Sequence, residues 1–593
     1  MQQPVAKPSD IRVSTAHNNK VLVKTRDVSQ PVRKSQKEKS IKITTSPLIE
    51  DPESEDEPDQ RGKARRKKKE PRLKSTNPAA RSKTQNIDKI QAPAYVVYTY
   101  SVIHGNNHEL IERMLSNRSW WKKAAAQKQT NKDGTPAQKV PVQFYWRMMV
   151  ENFNFKQIAS SGGSYMSKKS MNRFQKSDEI SDKDNFFRNI WHLCQRTGDD
   201  IFNYVPLTFS FRMKEIQYEK DIQEFCRVFL ANERKCSVDQ IKPIRSFMDE
   251  SLKEEVNIYY DFKFPFLTRN INTRKFHNIE SHEINQLPDF FAGRNMWIIK
   301  PSGCDRGKGV EIFRSLEELG KFISLYTSGY NMSEYMNMNY DDHDNTSPTL
   351  KEGALMAKTK TTAFPKFVIQ KYMERPALFK GYKFDIRTHA LLTQDKQLFI
   401  FRESYIRICS LPYDVERNNY FAHLCNTAVN MRSSSFGKLA EANCISAIEL
   451  ADYFQQKEAG NSQVQRLTGG DFEEYFFEQA KRLIKITFDS VLQRANLVNP
   501  NNIPNTFELY GFDMMVDESY RCWLIEANYI PGLTDDGCAY AKDYMERMID
   551  DMFKLTIDEM YPMPRNGKRS VEQYPLMNYP SSKNLWIPLG KYE

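Results

Sequence analysis

The first sustained apolar pattern in the chain begins near Tyr95, where AYVVYTYSVI alternates like a strand and the following HELIERMLSNRSWW takes helical spacing. These elements predict a small N-terminal α/β domain over 91–206. It closes where the strand-like VPLTFSFRM begins and a helical stretch from Lys220 to Asn232 follows. NMWIIKPSGCDRGKGVEIF then reads as strand, glycine loop, strand. Residues 331–362 lack any period and predict a flexible insertion within a central unit, 207–375. The central unit ends with the strand FVIQKYM, and a second unit, 376–565, holds the strands KFDIRTHALL, QLFIFRES, ELYGFDMMV and CWLIEAN, with the amphipathic helix FEEYFFEQAKRLIKITFDSVLQ among them. The last residues, 566–593, read as a tail. No internal repeat is visible, and the mixture predicts an α+β fold with antiparallel sheets.

One hairpin interrupts its own apolar pattern. In FELYGFDMMVDESYRCWLIEANYIPGL, strict alternation places Leu509, Gly511, Asp513 and Met515 on one face, and Cys522, Leu524, Glu526 and Asn528 on one face of the return strand. A turn about Ser519 and Tyr520 sets Asp513 opposite Glu526. Two facing carboxylates are unfavourable unless something cationic sits between them.

Composition narrows the class. A chain of 593 residues is too long for one core, and 39% hydrophobic residues suffice for a globular body. Nine cysteines without a C-x-x-C pair argue against a disulfide framework or a zinc ribbon, and predict reduced, mostly buried thiols. Residues 1–90 carry 22 Lys and Arg against 12 Asp and Glu, so +10 of the net +12 lies in a leader expected to be disordered and basic. No apolar run has membrane-spanning length and no signal peptide is evident, so an intracellular, soluble protein without membrane or nucleic-acid partners is expected.

Three segments carry candidate chemistry. After the buried strand ending at Lys300, glycines at Gly303, Gly307 and Gly309 let backbone amides close around phosphate oxygens, and Arg306 and Lys308 add positive charge. The segment is not a Walker A loop, because the GK[ST] ending and the following helix are missing. In KFDIRTHALL, alternation puts Lys383, Asp385, Arg387 and His389 on one face. Arg402 and Arg407 again interrupt apolar strands, and repeated strand arginines suit a phosphate or carboxylate pocket. Asp513, Glu526 and Asn528 offer the few hard oxygen ligands that suit a magnesium ion already holding nucleotide phosphates.

Taken together, WIIKP at 297–301 with GKG at 307–309, QKYMERP at 370–376, KFDIR at 383–387, ESYIR at 403–407, HLCN at 423–426, FELYGFD at 507–513 and WLIEAN at 523–528 resemble the tubulin tyrosine ligase-like family of the ATP-grasp superfamily. The match runs over roughly residues 140–560, with FYWRM and YVPLTF as weaker upstream motifs. The resemblance implies an ATP-grasp fold in which 207–375 and 376–565 are subdomains whose antiparallel sheets sandwich ATP. It implies that Lys300 contacts phosphates beneath the glycine flap, that Gln370, Lys371, Tyr372 and Met373 meet adenine, and that Lys383 and Asp385 reach phosphates and ribose. Arg387 and Arg407 would neutralise the transferred phosphate, and Asp513, Glu526 and Asn528 would hold Mg2+. His423 and Asn426 would shape an amino-acid pocket, although Cys425 stands where the family often has threonine. The implied reaction joins a free amino acid, glycine rather than glutamate by a small margin, to glutamate side chains of acidic tubulin tails. Cytoskeletal and ciliary placement follows from the same likeness. A polyglutamylase, a ligase with a non-tubulin acceptor and a non-catalytic microtubule-binding protein are the competing readings.

Overall fold

The structure, a computed structural model, describes residues 97–105, 108–124, 141–148, 153–159, 167–234, 293–329, 363–417, 419–492, 505–534, 537–564 and 583–592. The leader 1–90 and the insertion 331–362 lie outside the described residues. No helix among the described residues is long and apolar enough to cross a membrane.

Strands β1 (Tyr98–Val102), β2 (Trp121–Lys123), β3 (Phe144–Trp146) and β4 (Ser170–Met171) form a parallel sheet in the order β2-β1-β3-β4. Parallel pairing needs crossovers, and helix α1 (His108–Ser116) supplies one, burying Leu110, Ile111, Met114 and Leu115. The core of this sheet is completed from far along the chain. Met548, Met552 and Phe553 of the C-terminal helix Ala539–Leu555 pack against Trp120 and Phe144.

The second sheet is antiparallel: β5 (Thr208–Arg212), β8 (Lys366–Lys371), β6 (Trp297–Pro301) and β7 (Glu311–Phe313), in that order. Alternation sends Phe209, Phe211, Trp297, Ile299, Phe367 and Ile369 into a core shared with Phe225 and Phe229 of helix α3 (Tyr218–Arg234) and Leu319 and Ile323 of helix α4 (Leu316–Ser328). Lys300 and Gln370 are left on the opposite face. Helix α2 (Lys183–Thr197) is capped by the Asp182 carboxylate, which accepts from Asp184 N and Asn185 N, and it ends at left-handed Gly198.

The third sheet is built on the long strand β10 (Tyr382–Leu392). One part of β10 pairs with β12 (Tyr405–Ile408), and a longer part with β14 (Glu508–Val516). Strands β9 (Leu378–Phe379), β11 (Gln397–Phe401), β13 (Cys444–Ser446) and β15 (Cys522–Asn528) complete the ladder. Within the segment read as a tail, Trp586–Lys591 forms β16 and pairs antiparallel with β11. Phe384, Ile386, Phe512 and Met514 bury the back of the sheet under helix α5 (Phe472–Leu492), the amphipathic helix anticipated from its spacing.

The β14–β15 hairpin departs from strict alternation. Asp513 does oppose Glu526, but the register shifts between Asp513 and Met514, so that Met514 opposes Leu524 and Ile525 becomes the extra residue of a bulge. The bulge reverses the parity of the return strand. Cys522 and Leu524 therefore join the core, while Ile525 and Glu526 both reach the cleft on the other face. The expectation that Cys522, Leu524, Glu526 and Asn528 share a face is corrected by this one inserted residue.

Candidate active site

Between the front faces of the second and third sheets lies a cleft with two chemically distinct regions. Ile298, Val310, Met373, Leu424, Met515 and Ile525 line it with apolar surface, while Lys183, Lys300, Lys383, Asp385, Arg407, Asp513 and Glu526 contribute charge. A flat apolar slot beside a cationic region suits a nucleotide's base and its phosphates.

The glycine loop between β6 and β7 shapes one wall. Gly303, Gly307 and Gly309 all have left-handed φ, near 76°, 75° and 67°. At Gly309 a Cβ would also lie 2.8 Å from Pro301 Cγ, so the requirement is steric as well as conformational. Helix α2 grips the root of the loop. The Ser302 hydroxyl donates to Asp182 Oδ1 (2.9 Å) and accepts from Asp184 N (2.8 Å), and Lys183 Nζ donates to Cys304 O (2.8 Å). Gly307 faces Asn426 and Val429, whereas Arg306 and Lys308 are partly exposed.

Two lysines come from strands of different sheets. Lys300 Nζ donates to Gln370 Oε1 (2.8 Å), which fixes both side chains. Lys383 Nζ donates to the Tyr372 hydroxyl (2.5 Å), which lies 2.7 Å from His423 Nδ1, and His423 Nε2 donates to Arg417 O. That last bond fixes the tautomer: the proton sits on Nε2 and Nδ1 accepts. Burial pushes Lys300 and Lys383 each down to about 8, and His423 down to about 4, so the imidazole is neutral near pH 7.

The carboxylates are tied to cations. Asp513 accepts from Arg387 Nε at Oδ1 and from Arg387 Nη2 at Oδ2 (2.9 Å for the latter), and Arg407 Nη2 lies 3.0 Å from the same Oδ2. Arg407 also forks onto Asp385, at 2.7 and 2.6 Å. Burial alone would raise Asp513, but the two guanidinium groups outweigh it and hold the carboxyl well below the usual range. Glu526 lies 3.3 Å from Lys183 Nζ. Each of the facing carboxylates thus has its own cationic partner, Arg387 and Arg407 on Asp513 and Lys183 on Glu526, while the two carboxylates remain in contact with one another.

Asn528 Nδ2 lies 3.4 Å from Asp513 Oδ2 and from Glu526 Oε1. Turning that amide over would present its Oδ1 to the same point, giving three hard oxygen donors. Among the described residues, no three His, Cys, Asp or Glu side chains cluster as a metal nest. A divalent ion here would complete its shell with phosphate oxygens and water, and the donor set fits magnesium in that role.

Several assigned residues take other positions. Lys371 turns its side chain away to Glu374 (2.6 Å) and Met296 O (2.8 Å), and its backbone N–H donates to Leu207 O. Arg402 is not part of the pocket. It pairs with Glu473 and Glu474 and lies over the Phe477 ring, because it belongs to the end of the sheet covered by α5. His389 shares the charged face of β10 but is sealed against Tyr544. Two contributors were missed. Lys183 arrives from α2, more than a hundred residues before the glycine loop; the Asp182 cap marks a helix start there but not its direction. Gly511 leaves room for Arg387, whose Cδ and Nη1 would sit 3.4 Å from an added Cβ.

Three sheets, two of them facing a cleft lined by lysines and arginine-bound carboxylates, define a protein of the mixed α/β class. Residues 163–567 match the model of the tubulin-tyrosine ligase family, and the chain belongs to that family. It is 27% identical over 285 residues to tubulin glycylase 3B of Tetrahymena thermophila, covering 47% of this chain and 19% of that protein. It is 26% identical over 279 residues to human tubulin monoglycylase TTLL3, covering 46% and 30%. A probable alpha-tubulin polyglutamylase, Ttll1 of T. thermophila, is 25% identical over 275 residues, covering 44% and 54%. The chain thus spans about a fifth to a half of the length of these relatives.

Proposed function

We propose that the protein is an ATP-dependent ligase that joins glycine to glutamate side chains in the C-terminal tails of tubulin. The observation that carries this is the cleft itself, where Lys300, Lys383, Arg387 and Arg407 converge with Asp385, Asp513 and Glu526 beside an apolar slot. Family membership supports tubulin as acceptor, and the glycylases among the relatives support glycine. The polyglutamylase relative supports glutamate as the second reading.

In this reading the antiparallel sheets enclose ATP in ATP-grasp fashion. The base lies among Ile298, Met373 and Met515 against the backbone after Gln370, and Asp385 meets the ribose. Lys300 and Lys383 hold the phosphates. A carboxylate is a poor electrophile, so the acceptor glutamate first takes the γ-phosphoryl group as an acyl phosphate, and the amine of the incoming amino acid displaces phosphate. Arg387 and Arg407, held in place by Asp513 and Asp385, stabilise charge on the moving phosphoryl group. Asp513, Glu526 and Asn528 would hold Mg2+, which supplies electrostatic stabilisation of the phosphates. The loop from Ser302 to Gly309, anchored on α2, excludes water that would hydrolyse the acyl phosphate. Neutral His423 and Asn426 border the place where the amine approaches. The basic leader concentrates the enzyme on acidic tails by attraction that salt weakens, and a cytoskeletal, ciliary site of action accords with that substrate.

The test is mass spectrometry of microtubules incubated with the protein, ATP, magnesium and a mixture of glycine, glutamate and tyrosine, with Glu526→Gln as control. A ladder of glycine masses that the variant loses is expected. A glutamate ladder establishes the second reading. No added mass, with ATP and microtubule binding retained, refutes the ligase.

A further inference from the structure

Among the described residues, four of the cysteines scattered along the sequence come together in space as two pairs. Cys409 and Cys425 lie with sulfurs 3.5 Å apart, both buried beside Lys383. Burial, reinforced by the neighbouring thiol, pushes Cys425 far above the ordinary thiol range. Cys425 is therefore held protonated and poorly nucleophilic.

The second pair, Cys444 and Cys538, sits in the opposite setting. Cys444 opens β13 and opposes Arg407 in the β12–β13 ladder. Cys538 is the N-cap of helix α6 (Ala539–Leu555). The two segments are tied together beside the sulfurs, since Ala539 N donates to Glu441 Oε2 at 3.2 Å. Between Glu441 and Cys444 the backbone turns through left-handed conformations at Ala442 (φ 48°) and Asn443 (φ 53°). Such angles are costly for an alanine, and Asn443 anchors them by donating to Ile408 O (2.9 Å) and accepting from Gly437 N (2.7 Å). This left-handed turn leads directly into Cys444, whose thiol contacts that of Cys538 at the helix start. Cys444 is partly exposed and Cys538 is buried behind it.

The Cys444 hydrogen bond, working against burial and helped by the Ala541 and Tyr540 amides, brings the Cys538 thiol down to about 7. A large thiolate fraction is thus present near neutral pH, with a second thiol in contact.

We propose that Cys444 and Cys538 are a peroxide-sensitive thiol pair that closes to a reversible disulfide. The Cys538 thiolate attacks one oxygen of a peroxide, the O–O bond breaks, and the sulfur becomes a sulfenic acid as water or alcohol leaves with the added proton. The Cys444 thiol then attacks that sulfur, its proton leaves with the hydroxyl as water, and the S–S bond forms. Two thiols lose two electrons, and the peroxide gains them. The pair stands outside the nucleotide cleft but on the strand adjoining Arg407, so the modification is distinct from the proposed ligase chemistry.

The full chain, treated with stoichiometric hydrogen peroxide, blocked with N-ethylmaleimide and digested, should yield a Cys444–Cys538 linked peptide that dithiothreitol removes. Cys444→Ser should abolish the link and leave Cys538 as a sulfenic acid that dimedone traps, whereas Cys409→Ser should leave the link intact. The pH dependence of Cys538 alkylation, read by mass spectrometry, should show a midpoint near 7 that rises in Cys444→Ser. Absence of the linked peptide, oxidation of Cys409 with Cys425 instead, or an ordinary alkylation midpoint for Cys538 each overturns the proposal.

Discussion

Glu311 offers the cleanest test of how the two lobes are held together. It lies on β7, beside the glycine loop, and accepts a hydrogen bond from the Tyr420 hydroxyl across the cleft, on the short helix that ends at His423. Burial lifts its carboxyl to about 8, although the Tyr420 bond works the other way. The group therefore keeps its proton in the folded protein at neutral pH, while in the unfolded chain it ionises near 4.5. Between these two values the unfolded state binds fewer protons, so this group makes stability fall as pH rises, and the loss levels off above about 8. Each pH unit in that window is worth about 1.4 kcal/mol, giving an upper bound on the order of 5 kcal/mol for the whole interval. Glu311→Gln keeps the shape and a hydrogen-bonding carbonyl but removes the titration. Melting wild type and variant side by side from pH 5 to pH 9 isolates the one group, since every other titration is common to both. The two should melt together near pH 5, and the variant should gain several degrees by pH 8. Parallel curves across the range would show that Glu311 is ionised or solvated in the folded state and would refute the reasoning.

Three further outcomes follow from the cleft. Lys300 and Lys383 lose their charge near pH 8, so affinity for a non-hydrolysable ATP analogue should fall roughly tenfold or more between pH 7 and 9; calorimetry near pH 8 in buffers of different ionisation enthalpy should show proton uptake on binding. Asp513→Asn removes the shared partner of Arg387 and Arg407, and should cost about 3–5 kcal/mol of stability by denaturant titration as well as abolishing ligation. Gly511→Ala introduces a Cβ 2.9 Å from Pro531 and 3.4 Å from Arg387; turnover measured by ADP release should drop roughly tenfold to a hundredfold through a displaced guanidinium, with a smaller change in melting temperature.

Period-two alternation made much of the site legible. In β10 it placed Lys383, Asp385 and Arg387 on the face that the structure turns toward the cleft and its wall, because a fully paired central strand leaves no freedom to rotate. The same rule failed in β15, where Ile525 is inserted and no local residue type announces it. The Asp513–Glu526 register came out as expected because the true turn is displaced from Ser519–Tyr520 and the bulge restores the pairing. Arg402 misled because it follows an apolar strand in the sequence but lies just past the end of β11, where it meets glutamates on a covering helix instead of a ligand. Lys183 was invisible for another reason. Its role depends on how α2 docks onto Ser302 and Cys304, a contact with no signature at either end of the chain segment that makes it.

The charge balance of the site ties these observations to the proposed ligand. Lys183, Lys300, Arg306, Lys371, Lys383 and Arg407 line the cleft with Asp305, Asp385, Asp513 and Glu526, six cations against four carboxylates. The ion pairs among them hold the side chains in place, but they leave an excess of two positive charges in a region where water is scarce. ATP carries roughly four negative charges, and a divalent cation bound with it returns two, so that the pair brings the complement of what the cleft lacks. ATP alone would overshoot and set its phosphates against Asp513 and Glu526. The same arithmetic gives the two sides of the pH range opposite effects. Loss of a proton from Lys300 or Lys383 near 8 halves the excess, whereas acid reaches Asp385, whose carboxyl burial raises, before the strongly depressed Asp513, and so adds positive charge. Nucleotide binding should therefore weaken on the alkaline side and not on the acid side, and a symmetrical pH profile for analogue binding would contradict this account of how the cleft selects its ligand.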